Sequence, residues 1–291
     1  MKTFSNNQKH MTLFSKTHSF KCCNNAILVA VMVLSLAISN VADAQSFTMS
    51  DQNSTASVNP TTSAGMFTWQ VDGSGQLTQQ WFWLGVGNNA EVPINTISAP
   101  TVSQSSARSL TTFYANASYS VQIDYLLTGG SLGSGVSDIG EAIRIRNTSG
   151  SSLDFHFFQY SDFDLGGPGN DVIQLGKNLQ GKFNEAAQSD GLVGLTETVV
   201  TPGANHGEAA FFNSTLVKLN DGVASVLSDN LNPVGPGDVT WAFQWDFTIA
   251  PGGSFLISKD KYLQIQNVPE PSSILLAVLG GIFIRRFSKR A

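Results

Sequence analysis

Alternation of hydrophobic and polar residues in the middle of the chain predicts β-strands. Between residues 239 and 249, large apolar residues occupy every second position, and polar or small residues lie between them. Residues 119–128 alternate in the same way. Because successive side chains of a strand point to opposite faces of a sheet, this period of two predicts strands with one dry face and one wet face.

Eleven further segments after Gly65 are predicted strands, separated by turn-forming residues such as Asp72-Gly73. Residues 81–84 and 155–158 are apolar on both faces, which is typical of central strands that are covered on both sides. The pattern allows one helical turn, at residues 182–189. The additional predicted strands are 66–71, 77–86, 110–115, 141–147, 153–160, 172–175, 192–200, 208–212, 223–228, 254–258 and 262–266.

This pattern predicts an all-β domain at residues 65–267, built as a single two-sheet, jelly-roll-like sandwich. Two sheets packed face to face would bury so many one-sided strands. A closed barrel or a β-helix is the alternative. The sequence has no fixed-period repeat, which argues against a solenoid or a propeller. Residues 45–64 are rich in Ser, Thr and Asn, and we expect them to form a flexible start.

The N-terminal 44 residues have the pattern of a secretory signal peptide. A basic start is followed by thirteen apolar residues at 26–38 and by Ala42-Asp43-Ala44, in which Ala42 and Ala44 form an Ala-x-Ala cleavage pattern. Met1 and Met11 are both possible starts, because Lys16 and Lys21 follow Met11 and supply the basic charge. A retained signal anchor is the alternative.

The C-terminal segment, residues 268–291, has three parts. Pro269-Glu270-Pro271 should be stiff and extended, because each proline fixes its own φ and restricts the residue before it. An uncharged helix is predicted at residues 274–284, shorter than the roughly 20 residues that usually span a bilayer. A basic cluster follows, which the positive-inside rule places in the cytoplasm. Its members are Arg285, Arg286, Lys289 and Arg290.

This tail resembles the PEP-CTERM sorting signal of exported Gram-negative bacterial proteins. The resemblance rests on residues 268–271, the apolar helix and the basic cluster, and it covers about a twelfth of the chain. It implies that the export machinery delivers the chain, that the helix holds it transiently in the inner membrane, and that an exosortase processes it at Pro269-Glu270-Pro271. The protein would then reach the cell surface or an exopolysaccharide matrix. A plain C-terminal membrane anchor is the alternative.

Charge and cysteine content exclude several classes of function for the middle of the chain. Half of the 16 basic residues lie in the two end segments, against two of the 21 acidic ones, so residues 45–267 carry a net charge of about −11. This balance disfavours nucleic acid and anionic lipid as partners. Both cysteines, Cys22 and Cys23, lie in the leader, so the domain has no disulfide and no cysteine nucleophile.

Residues 161–171 contain the candidate metal ligands. Asp162 and Asp164 share one face of a predicted strand end, and a glycine-rich turn could bring Asn170 and Asp171 back to them. Such hard oxygen ligands suit Ca²⁺, which takes six to eight of them. An acidic strand end that runs into a hairpin turn is the alternative. Asp138 and Glu141 are further candidates for the same site.

Catalytic patterns are weak, and we predict no catalytic residue. Residues 129–133 match the G-x-S-x-G nucleophile elbow by letter, but a helix-poor loop follows them. His156 and His206 lack the spacing of a zinc site, and His156 is expected to be a half-buried strand residue. Paired carboxylates for glycoside hydrolysis would be sought on predicted strands. The candidates are Glu141, Glu197 and Glu208.

The tryptophans of residues 81–84 allow two interpretations. Burial is favoured, but Trp81 and Trp83 on an open face would form a stacking platform for sugar rings. We therefore expect a non-enzymatic, exported β domain at the cell surface or in the extracellular matrix, with a structural, adhesive or polysaccharide-associated role. A secreted carbohydrate-active enzyme on the same fold is the alternative.

Overall fold

Two nine-stranded sheets form the part of the chain that the computed structural model describes, residues 45–266. The strands are β1 (Phe47–Asp51), β2 (Ser54–Asn59), β3 (Gly65–Val71), β4 (Ser74–Gly75), β5 (Leu77–Val86), β6 (Val92–Pro93), β7 (Thr101–Ser106), β8 (Ser109–Ala115), β9 (Tyr119–Gly129), β10 (Val136–Asn147), β11 (Leu153–Phe163), β12 (Asp171–Lys177), β13 (Phe183–Ser189), β14 (Val193–Thr201), β15 (His206–Phe211), β16 (Val234–Gly237), β17 (Val239–Ile249) and β18 (Ser254–Ile265). A 3₁₀ turn (Ile94–Thr96) and a short helix, α1 (Ser214–Lys218), complete the elements.

The first sheet, sheet A, has the order β1-β2-β3-β5-β11-β17-β15, with β4 on β3 and β6 on β5. The second, sheet B, has the order β16-β12-β13-β14-β18-β10-β9-β8-β7. All neighbours pair antiparallel except β3 and β5, which are parallel. This architecture confirms the predicted all-β, two-sheet sandwich, although it has more strands than an eight-stranded jelly roll.

Aromatic side chains fill the space between the sheets. Phe82 on β5 stacks on Phe157 on β11, with ring centroids 5.5 Å apart, and Phe163 stacks on Trp241 at 5.3 Å. Both rings of each pair are fully buried. The double-sided apolar segments at 81–84 and 155–158 lie on β5 and β11, the central strands of sheet A, as predicted.

The outer face of sheet A is also covered. Trp81 and Trp83 are fully buried, and their indole Nε1 atoms donate to Asn95 and Asn220, each at 3.1 Å. Asn95 belongs to the 3₁₀ turn and Asn220 follows α1. Burial is therefore the correct interpretation of these tryptophans, and the alternative of an open stacking platform is wrong.

Four local predictions are wrong. Residues 45–64 are not a loose start, because β1 and β2 lie there and bury Met49, Ala56 and Val58. The helical turn predicted at 182–189 is the strand β13, whose pairing with both β12 and β14 overrides local propensity. Residues 223–228 form no strand, and the predicted strands 254–258 and 262–266 are parts of the single strand β18.

The predicted end segments lie outside the described residues. The cleavage residues Ala42 and Ala44, the Pro269-Glu270-Pro271 segment and the basic cluster at 285–290 therefore stay predictions. Between residues 45 and 266, no helix has the length and apolar character that a membrane crossing requires.

Candidate functional site

An open groove crosses the outer face of sheet B, with a volume of about 410 Å³. Its floor is β10, where the strand alternation turns Gly140 and Ala142 outward and Glu141 inward. The groove exists because these two outward residues are small while larger side chains stand on the neighbouring strands. Those outward neighbours are Asp124 and Leu126 on β9, Val200 on β14, and Ser258 and Asp260 on β18.

The groove combines carboxylates with exposed apolar side chains. Leu126 and Val200 are exposed apolar residues on opposite sides of the floor. Asp124 accepts hydrogen bonds from the Thr111 hydroxyl at 2.7 Å and from the Gln122 amide at 2.9 Å, which hold its carboxylate in place. Such a surface can accept hydrogen bonds from hydroxyl groups and contact C–H groups of the same ligand.

A pair of carboxyl groups stands beside the groove. Burial raises the pKa of Asp138 to about 7, helped by the hydrogen bond and the negative charge of Asp260, while Lys261 opposes the shift. Asp138 shares this hydrogen bond with Asp260, which lines the groove. Two carboxyl groups in direct hydrogen bond are closer than the separation of about 5 Å or more that glycoside hydrolysis needs.

Two of the three predicted glycosidase candidates, Glu141 and Glu197, point into the sandwich and are fully buried with Lys259 and Lys261. Lys261 Nζ lies 2.8 Å from Glu141 Oε1 and 3.6 Å from Glu197 Oε2. Lys259 pairs with Glu141 and lies 3.5 Å from Glu197 Oε1. Burial alone would raise the pKa of Glu141, but the two ammonium groups hold it below its ordinary value. The charged side chains neutralise each other inside the sandwich, with almost no exposure to solvent, which indicates a structural role.

Glu208, the third candidate, anchors α1 to sheet A. Its carboxylate accepts hydrogen bonds from Thr215 Oγ1 at 2.8 Å and from Lys218 Nζ at 2.5 Å. The Ser228 amide donates to the same carboxylate at 2.9 Å. Although burial opposes it, the pKa of Glu208 falls below its ordinary value because of these donors and the Lys218 charge. A carboxylate occupied in this way is unsuited to act as a general acid.

Both histidines of the described chain meet at one aspartate on the outer face of sheet A. His156 Nδ1 lies 2.7 Å from Asp246 Oδ1, and His206 Nε2 lies 3.4 Å from Asp246 Oδ2. The other ring nitrogen of His206 lies 2.9 Å from Asp229 Oδ2. Each ring is partly exposed, so both rings can contact a bound molecule.

No sequence signal reveals this histidine group, because its members come from β11, β15, β17 and the loop after α1. His156 is partly buried on a strand, as predicted. The G-x-S-x-G match lies at the end of β9 and in the turn before β10. The next element is a strand, as the helix-poor loop predicted there indicates, whereas a nucleophile elbow opens a helix.

The structure brings together two of the four predicted calcium ligands, Asp162 and Asp164. Asp162 lies on the outer face of β11, near the end of the strand. One of its carboxylate oxygens lies within 4.8 Å of a carboxylate oxygen of Asp164 and of a carboxylate oxygen of Asp238. Asp171 is outside this group, and its Oδ2 accepts from the Leu165 amide at 3.1 Å and from Gln188 at 2.8 Å. Asn170 is exposed in the preceding turn. The sequence pattern did not indicate Asp238, which lies 74 residues after Asp164.

Burial and neighbouring carboxylates act together on these aspartates. The pKa of Asp162 is raised to about 7 by burial and by the charges of Asp164, Asp238 and Asp171. The pKa of Asp171 is raised to about 6, again chiefly by burial, although its hydrogen-bond donors oppose the shift. Burial and Asp164 also raise the pKa of Asp238.

Neither protein-family models nor curated proteins match the sequence. Among solved structures, a bacterial glucoamylase complexed with acarbose aligns with a TM-score of 0.54 and 8% identity, over 79% of this chain and 32% of the glucoamylase chain. A galactose mutarotase-like protein from Lactobacillus casei ATCC 334 aligns with a TM-score of 0.49 and 10% identity, over 76% of this chain and 100% of its own. The GalM/aldose epimerase homologue from C. elegans aligns with a TM-score of 0.48 and 9% identity, over 77% of this chain and 100% of its own.

The described domain is a large β-sandwich, and its architecture is similar to that of one part of the glucoamylase. The present chain spans about a third of the glucoamylase. At this identity the likeness concerns the fold alone.

Proposed function

We propose that this protein is exported and sorted by its PEP-CTERM-like tail to the cell surface or extracellular matrix, where the groove on sheet B binds polysaccharide without chemical change. Its processing partner would be an exosortase, and its association with the inner membrane would be transient. The acidic middle of the chain and the two end segments support this organisation, since each end has the charge pattern of a targeting segment.

The groove is the observation that carries the binding proposal. Its volume of about 410 Å³ lies within the range of about 300–1,000 Å³ that is common for ligand sites. Carboxylates from Asp124 and Asp260 can accept hydrogen bonds from sugar hydroxyls, while Leu126 and Val200 contact the C–H faces of the rings.

Filling the groove tests this proposal. At Gly140, a Cβ atom would meet only Asp260 Oδ1, at 3.9 Å, so Gly140→Leu should fold and occupy the floor. Gly194→Leu is the matched control, because Gly194 lies on the outer face of β14 with open space around it and does not line the groove. The full-length protein, purified in mild detergent, would be screened on a glycan array, and affinity for the best ligand would be measured by calorimetry.

We expect Gly140→Leu to weaken binding at least about tenfold, because the leucine displaces the sugar ring from its contacts. Gly194→Leu should bind like the wild type. Equal affinity of wild type and Gly140→Leu, or no binding to any polysaccharide, would contradict the proposal.

The alternative of a carbohydrate-active enzyme draws its support from the His156–Asp246–His206 group, which has the partners of an acid–base site. The same preparation distinguishes the two. If the bound polysaccharide becomes shorter, and Asp246→Asn stops the shortening, the non-catalytic proposal is replaced by the enzymatic one.

A further inference from the structure

Three aspartates from two segments of the chain meet at one end of sheet A. Asp162 is on β11, Asp164 follows that strand, and Asp238 lies between β16 and β17. Each offers a carboxylate oxygen within 4.8 Å of the other two. Ca²⁺ holds its oxygen ligands at about 2.3–2.6 Å, so two ligands on opposite sides of the ion lie roughly 4.6–5.2 Å apart. The three oxygens are therefore close enough to surround one ion.

One of these carboxylates is buried without a partner. Asp162 is only 2% exposed, and its Oδ1 atom has no hydrogen-bond partner. The Oδ1 atom of Asp238 is buried and unpaired as well. Within residues 45–266, no lysine or arginine forms an ion pair with any of the three aspartates. Since a buried charge is costly unless it is paired or bound to a metal, these oxygens require a cation or a proton.

The cluster also has access to solvent. Asp164 lines an open cavity of about 400 Å³ together with Gln76, Thr78 and Gly166. The Thr78 hydroxyl donates to Asp164 Oδ2 at 2.6 Å, which fixes that carboxylate at the cavity wall. Asp164 is the member of the cluster that lines this cavity, so an ion and water molecules can reach the cluster from the side of Asp164.

We propose that Asp162, Asp164 and Asp238 bind one Ca²⁺ ion, which links the end of β11 to the start of β17. All three ligands are hard carboxylate oxygens, and the set contains no histidine or cysteine that would favour zinc. Ca²⁺ tolerates irregular geometry and completes its shell with water, whereas Mg²⁺ demands a near-ideal octahedron. The role is structural and is independent of the groove, which lies on the other sheet.

Thermal unfolding of the full-length protein in mild detergent tests this site. We expect the Tm to be at least about 4 °C higher in 5 mM CaCl₂ than in EDTA, because an ion that binds only the folded state stabilises it. Calorimetric titration should give a Kd of about 1 mM or tighter, as in extracellular calcium modules. The Asp238→Asn variant should lose the Tm shift and weaken binding at least about tenfold.

Asp154→Asn is the matched control, because Asp154 lies on the same strand, is exposed and is outside the cluster. It should keep the calcium response. Asp162→Asn should raise the Tm in EDTA, since it removes a buried charge that faces other carboxylates, yet gain nothing from calcium. No effect of calcium on the wild type in either measurement, or an unchanged response in Asp238→Asn, would overturn the proposal.

Discussion

Asp138 shows how a single residue makes stability depend on pH. Its carboxyl group is half-buried on the outer face of β10, with Asp260 as hydrogen-bond partner, Tyr262 opposite it on β18 and Lys261 as the nearest opposing charge. Burial is the main reason that its pKa rises from 3.8 to about 7. Between these two values, the folded protein holds a proton that the unfolded chain releases. Stability contributed by this group therefore increases as the pH falls from about 8 towards 5.

The Asp138→Asn variant removes that proton-binding group but keeps a hydrogen-bond donor to Asp260. We expect its Tm to change less between pH 5 and pH 8 than that of the wild type, with the largest difference between the two proteins at pH 8. Calorimetry in EDTA at several pH values measures this. Parallel pH profiles for the two proteins would show that Asp138 has an ordinary pKa.

At the scale of elements, the register of three strands in sheet B assembles the buried ion cluster. Glu141 on β10 is directly opposite Lys259 on β18, and Glu197 on β14 is directly opposite Lys261. Sheet A contributes an amide: Gln159 Nε2 donates to Glu197 Oε2 at 2.6 Å. A slip of one residue in either pairing would turn these charges to solvent and expose the core, so the cluster favours one register.

Replacing one charged residue of the cluster tests how much an unpaired buried charge lowers the free energy of unfolding. Lys259→Met leaves the two buried glutamates with a single ammonium group, and we expect a loss of about 3–5 kcal/mol in the free energy of unfolding. The double variant Lys259→Met/Glu141→Gln keeps the remaining pair neutral and should recover most of that loss. Urea denaturation measures both variants. A loss below about 1 kcal/mol for Lys259→Met would mean that water or a shifted proton already compensates the cluster.

At the scale of the whole molecule, the proposed delivery and the proposed binding belong to different parts of the chain. We expect deletion of Pro269–Pro271 to leave the protein in the inner membrane, because the exosortase would lose its recognition segment while the apolar helix stays. Cell fractionation with an antibody against the β domain measures this. A matched deletion of Asn230–Asn232, in an exposed loop of the domain, should not block release. Normal release after the Pro269–Pro271 deletion would refute the sorting proposal.

Much of the sandwich could be predicted because its signal is local. Period-two alternation identifies β9 and β17 from a few neighbouring residues, and double-sided apolar runs identify the central strands β5 and β11. The strand β13 could not be predicted in this way, because its hydrogen bonds to β12 and β14 decide its conformation. The same holds for β1, an edge strand whose only apolar residues are Phe47 and Met49.

The amino-acid sequence by itself determined the fold class and the acidic, thiol-free character of the domain, and it favoured burial of Trp81 and Trp83. These features follow from composition and from side chains close together in the chain. Only the tertiary structure decided which polar residues meet. It placed Asp238 beside Asp162, gathered His156 and His206 on Asp246, and opened a groove above Gly140. Strand order and register bring together residues that are far apart in the chain, and no local pattern encodes either.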